Sequence, residues 1–132
     1  MSADPLDQAR QMWADDPASR ALGMELVSLG AGHSVVSMTV RADMVNGYGL
    51  CHGGLVASLA DSAFALACNS RGTKTVAAGF DITFLAPSRL GDVLVATAEE
   101  RALRGRSGLY DVTVRCEGTV IAEFRGRSRA VG

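Results

Sequence analysis

Lysine is nearly absent from this sequence of 132 residues: Lys74 stands alone among thirteen cationic side chains, and the rest are arginine. Net charge is nearly absent too, at -1. A nucleic-acid binder needs a basic face to meet phosphates, so that class of partner is excluded. Eight arginines do fall between Arg89 and Arg129, against six acidic residues there. They read as a solvated face with room for a modest anion-binding surface. Cysteine is scarce and unpatterned. Cys51, Cys68 and Cys116 are odd in number, widely spaced and without metal-ligand spacing, so no metal site is expected. With no signal-peptide pattern, a reducing, cytoplasmic setting is expected. The apolar run over residues 55–68 is too short to span a bilayer and carries Asp61 in its middle, so no membrane role follows. Repeats, linkers and low-complexity tracts are missing as well. At 48% hydrophobic and 20% charged, the chain can build one core, and a single domain over residues 1–132 is expected.

What is present is a change of period along the chain. Asp4-Pro5 is an N-cap and first-turn signal, and Leu6, Ala9 and Trp13 share one helical face. Asp16-Pro17 repeats the start signal and Gly23 ends that turn, so residues 1–21 form an N-terminal helical segment. Then Val36, Met38 and Val40 alternate with Ser37, Thr39 and Arg41, as a half-buried strand requires. A preceding strand near residues 22–29 pairs with it through Gly30-Ala31-Gly32. Residues 46–54 are a glycine-rich loop that opens into a helix from about Leu55 to Ser70. That helix is apolar or small almost all round, which predicts enclosure on most sides. Four strand-like runs follow, near 75–86, 93–103, 108–117 and 119–128. The expected class is α+β: an antiparallel sheet wrapped around one long buried helix.

Between Met44 and Ser70 the sole formal charge is Asp61. Its neighbours three and four residues away are Ala57, Ser58, Phe64 and Ala65, none able to pair with a carboxylate as a cation would. A carboxylate in an apolar helix is costly unless something uses it or bonds it. It is either an Asp bonded to backbone groups in a tight core or a general base or nucleophile in a pocket. His52-Gly53-Gly54 stands where the helix begins. Free N–H groups there favour negative charge, as an oxyanion hole requires, although a loop-to-helix hinge has the same composition. Asn46 can position a water or carbonyl, or simply make a turn beside Gly47.

Spacing adds a constraint. Seven residues of helix from Gly54 to Asp61 span about 10 Å, whereas a reacting atom must lie about 3 Å from both its nucleophile and its oxyanion donors. Two antiparallel copies of the helix meet that requirement, which points to a dimeric site. Rival motifs are weaker. Gly47-Tyr48-Gly49 with Gly53 has the wrong spacing for a dinucleotide loop and no parallel βαβ unit follows. Cys51-His52 lacks an orienting third group for a thiol nucleophile. His33, in a turn, reads as solvated.

The run Asn46-Gly47-Tyr48-Gly49-Leu50-Cys51-His52-Gly53-Gly54, then Leu59-Ala60-Asp61-Ser62-Ala63-Phe64-Ala65 and Ala67-Cys68-Asn69-Ser70, closely resembles the phenylacetic-acid-degradation thioesterases of the PaaI type. The likeness continues through Phe84-Leu85-Ala86-Pro87, Gly91-Asp92, Tyr110-Asp111-Val112 and Phe124-Arg125-Gly126. It implies a hotdog fold and a homotetramer built as a dimer of dimers, with active sites at the dimer interface. It implies hydrolysis of aryl-acetyl-CoA thioesters, phenylacetyl or hydroxyphenylacetyl, with no cofactor because CoA is part of the substrate. By the family's pattern Asp61 is the catalytic carboxylate, Gly53 the oxyanion donor, and Asn46 and His52 are active-site residues. Tyr48 and Leu50 occupy positions that vary among relatives, which leaves the acyl group open.

For the CoA phosphates, turn arginines at the sheet ends are the candidates: Arg89, and Arg106 with Ser107 in the 104–107 hairpin turn. Two rivals stand beside hydrolysis. A hotdog hydratase or dehydratase would use His52 together with Asp61. A non-catalytic acyl-CoA-binding module would bind without thiol release, but would gain nothing from a carboxylate in so apolar a helix.

Overall fold

A computed structural model describes residues 4–132. The first three residues of the expected N-terminal segment lie outside the described residues. Two short helices come first, α1 (Leu6–Ala14) and α2 (Pro17–Ala21). Asp4 accepts the Leu6 N–H at 2.9 Å, and Asp16 accepts the Ser19 N–H at 3.0 Å with Pro17 in the first helical position. Asp16 therefore caps α2 as expected, whereas α1 starts one residue later than Asp4-Pro5 implies, with Pro5 in the cap position and Asp4 just before it. Gly23, with φ of 71°, ends the second helix in the left-handed region that glycine enters freely.

The strands are β1 (Glu25–Gly30), β2 (His33–Thr39), β3 (Thr75–Phe84), β4 (Val93–Arg104), β5 (Ser107–Cys116) and β6 (Thr119–Ala130). They form one antiparallel sheet in the order β1-β2-β4-β5-β6-β3. The long helix α3 (Gly53–Cys68) crosses its inner face, against β2, β4 and β5. This is the expected α+β wrap. Two local expectations need correction. The helix starts two residues earlier than Leu55, so Gly53 and Gly54 form its first turn. His33 is the first residue of β2, half-buried with Nδ1 4.0 Å from Glu99, and not a turn residue. A single 3-10 turn at Ala42–Met44 precedes the glycine loop.

Alternation explains the core. Val36, Met38, Leu94, Ala96, Ala98, Tyr110, Val112, Val114 and Phe124 point inward and are buried. Small side chains let the helix sit low: Ala60, Ala63 and Ala67 are fully buried, and Ser34 Oγ donates to the Ala63 carbonyl at 2.6 Å. Phe64 anchors the far side, with ring centroids 5.5 Å from Tyr110 and 5.7 Å from Phe124. Gly126 makes room for it. The helix face bearing Ala57, Ser58, Asp61, Ser62 and Ala65 stays half-open, and the outer edge of β3 carries no strand among the described residues.

Candidate active site

The loop before α3 is tied down by backbone bonds. Cys51 N–H donates to the Ser88 carbonyl at 2.8 Å, His52 N–H to the Met44 carbonyl at 2.9 Å, and Asn46 N–H to the Leu50 carbonyl at 2.7 Å. Asn46 Oδ1 accepts from the N–H groups of Tyr48 and Leu50, at 2.9 and 3.1 Å. Asn46 is thus a turn residue, and more: with the carbonyl end used, its Nδ2 amide is the donor left for a ligand.

His52 precedes the helix in extended conformation, and its carbonyl accepts from Leu55 and Val56. Its imidazole is exposed and makes no hydrogen bond among the described residues. Gly53 follows in the first turn, where N–H groups have no intrahelical acceptor. A Cβ on Gly53 would stand 2.8 Å from the Phe84 ring. A cleft of about 350 Å³ opens here, lined by Asn46, Gly53, Phe84, Leu85 and Ser88 among others. It brings Asn46 and Gly53 together.

Asp61 lies elsewhere. It lines a separate cavity of about 250 Å³ with Ser62, Ser19, Asp16 and Met24. Its carboxylate has no hydrogen-bond or ion-pair partner among the described residues, which removes the reading of a backbone-bonded core aspartate. Burial pushes its pKa up, and the nearby charge of Asp16 pushes in the same direction. One chain therefore separates Asp61 from Gly53, as the helical spacing requires. It also keeps Asp61 apart from the His52 imidazole that a hydratase would need. Burial raises the pKa of the Cys51 thiol, which disfavours the thiolate that a nucleophile needs.

The expected phosphate-binding residues are not one cluster. Arg89 is exposed beside the loop, bridged through its backbone to Leu50 and held by Asp92 Oδ2 at 2.8 Å. Arg106 stands at the other end of α3, in a cavity of about 190 Å³ with Cys68 and Tyr110. Its guanidinium donates to the Ala130 carbonyl at 3.2 Å, while the Ser107 hydroxyl accepts from Arg129 at 3.4 Å. Asp16, Ser19 and Ser62 were not singled out from sequence as site residues. Asp16 read only as a helix cap, and nothing local marks its approach to Asp61.

Among the described residues no group of His, Cys, Asp and Glu could hold a metal ion, and no helix is long and apolar enough to cross a membrane. A profile of the Thioesterase superfamily matches residues 48–123. The acyl-coenzyme A thioesterase PaaI of Escherichia coli is 44% identical over all of this chain and 95% of its own length. The structure of the E. coli PaaI protein from the phenylacetic acid degradation operon superposes with a TM-score of 0.94 at 42% identity, covering 98% of this chain and 94% of that one. A hypothetical thioesterase of Streptococcus pneumoniae, solved with coenzyme A, gives a TM-score of 0.85 at 26% identity, covering 93% and 96%. An antiparallel sheet wrapped round one helix is thus shared architecture: the chain belongs to the thioesterase superfamily and has its hotdog fold.

Proposed function

We propose that this protein hydrolyses acyl-CoA thioesters, with aryl-acetyl groups of the phenylacetyl or hydroxyphenylacetyl type as the acyl class. The observation that carries the chemistry is the unpartnered, half-buried carboxylate of Asp61 in an otherwise apolar helix. Such a group costs stability and is kept where a reaction uses it. The acyl class rests on the 44% identity to the E. coli relative of the phenylacetic acid operon.

The thioester carbonyl points at the Gly53 N–H, where the start of α3 favours the developing negative charge. Asp61 of the facing subunit either takes a proton from water, which then attacks, or attacks itself to give a mixed anhydride that water cleaves. Either route adds one water across the bond and releases a carboxylic acid and CoA thiol. Thiols have a pKa of about 8.5, so the thiolate leaves without a strong general acid, and the site needs no cofactor or metal. Asn46 Nδ2 holds the water or the carbonyl. The fixed geometry around His52 comes from its backbone, so its part is to set the loop and not to carry protons.

The assembly is a homotetramer of two dimers, each dimer pairing antiparallel α3 helices so that Asp61 faces the partner's Gly53. The open β3 edge, with Val76, Phe80, Phe84 and Leu85 exposed beside it, supports such a contact. Arg89 and Arg106 bind the CoA phosphates, and the protein works in the cytoplasm. A thiol-release assay over a panel of acyl-CoAs tests the function. Release from phenylacetyl-CoA or its hydroxylated forms above release from straight-chain acyl-CoAs supports it. Binding without thiol release from any of them overturns it.

A further inference from the structure

The cavity at Asp61 has a second wall that the mechanism above leaves unused. Ser19 of α2 is 4% exposed. Its Oγ lies 2.6 Å from Asp16 Oδ2 and 2.8 Å from Ser62 Oγ. A carboxylate only accepts, so the Ser19 hydroxyl donates to Asp16. The remaining contact must then run from the Ser62 hydroxyl to Ser19. The result is a directed chain, Ser62 to Ser19 to Asp16, that starts beside Asp61 on α3 and ends on a negative charge. Asp16 is held in place because its other oxygen caps α2 through the Ser19 N–H at 3.0 Å.

We propose that Asp16 and Ser19 are positioning residues of the Asp61 site, through which the N-terminal helical segment takes part in thioester hydrolysis. The inference rests on the reading of Asp61 as the reacting carboxylate. The hydroxyl chain fastens α2 to α3 and closes the cavity on the Asp61 side. The charge of Asp16 also disfavours ionised Asp61, after burial the second cause of its raised pKa. Arg20 of α2 donates to the Ala14 carbonyl and lines a neighbouring cavity with Trp13 and Asp16, with no ion pair to Asp16 or Asp61 among the described residues. On α3 itself the other titratable group is the Cys68 thiol, pushed up to about 12 chiefly by burial. Met24, at the entry to β1, is apolar, and β2, β4 and β5 meet the helix through buried residues such as Val36, Ala96 and Val112. Asp16 is the like charge that acts on Asp61.

The test is the pH profile of kcat/KM for wild type, Asp16→Asn, Ser19→Ala and Asp61→Asn, with thermal melts alongside. Asparagine remains a good helix cap, so Asp16→Asn removes charge and keeps α2. Its acid limb should move to lower pH with the alkaline plateau retained, because Asp61 then ionises more readily. Ser19→Ala keeps the charge and cuts the hydroxyl chain, and should lower kcat several-fold with little movement of the acid limb. Asp16→Ser, also a favoured cap, should show the same movement of the acid limb if the asparagine variant does not fold, with the lower kcat of a cut hydroxyl chain. An acid limb coincident with wild type in the Asp16 variants, with Asp61→Asn inactive, overturns this inference and leaves the role of Asp61 standing. Normal turnover in Asp61→Asn overturns both.

Discussion

The ring of Phe84 occupies the place a side chain on Gly53 would take, with the nearest ring carbon 2.8 Å from an added Cβ. Phe84 is 50% exposed, so its ring can swing aside and the fold should survive a substitution. The cost should fall on the cleft the ring lines. Gly53→Ala is expected to lower kcat/KM by about 10²-fold, the scale of a misplacement of about 1 Å at a reacting carbonyl, with an almost unchanged melting temperature. In a Phe84→Leu background the same change should cost less, a coupling that a double-mutant cycle measures.

Asp61→Asn should remove about 10²–10⁴-fold of turnover, the usual contribution of a positioned acid–base group. It should also stabilise the protein at neutral pH, because the raised pKa of Asp61 marks its charge as a burden on the fold. The sign follows from linkage: a group that holds its proton more tightly when folded adds nothing unfavourable below its ordinary pKa. The penalty grows as pH rises through the window between the ordinary and the raised value, and stays above it. The melting-temperature gap between variant and wild type should therefore open across that window and close at lower pH. A gap independent of pH would mean that Asp61 is not the burdened carboxylate.

Subunit mixing tests the shared site. Gly53→Pro removes the N–H at a first-turn position that tolerates proline, and Asp61→Asn removes the carboxylate. Each variant alone should be inactive. Equal mixtures after exchange should regain about a quarter of wild-type activity, since half the dimers are hybrids and one of their two sites is intact. No recovery under demonstrated exchange would place both groups within one chain.

Arg89→Ala or Arg106→Ala should raise KM for full-length acyl-CoA and leave kcat nearly unchanged, because phosphates are held equally in ground and transition states. A pantetheine thioester, which lacks the nucleotide, should be indifferent. Since α3 separates the two arginines within one chain, a response from both reports two subunits on one CoA.

Gly126 faces the fully buried Phe64, whose ring carbons lie 2.8 Å from where a Cβ would stand. Here the ring cannot yield. Gly126→Ala should cost about 1–3 kcal/mol in denaturant unfolding, as overpacking a close-packed core does, with kcat little affected in the protein that remains folded.

Element order and class were legible in the chain itself, because period and capping are local. Val36, Met38 and Val40 alternate whatever surrounds them, and Asp16-Pro17 starts a helix through its own side chain and ring. The helix start was misplaced by two residues for a physical reason: glycine has poor helix propensity, and at Gly53 the bonds that tie the loop to Met44 and Ser88 override it. The lone charge of Asp61 and its distance from Gly54 also declared themselves in sequence, since a helix has a fixed rise. What tertiary packing alone decided was company. It placed α2 against α3, so that Asp16 and Ser19 wall the cavity of Asp61. It left the imidazole of His52 outside. And it set Arg89 and Arg106 at opposite ends of one helix. Contacts between residues distant in sequence depend on how whole faces pack, and no local pattern encodes them.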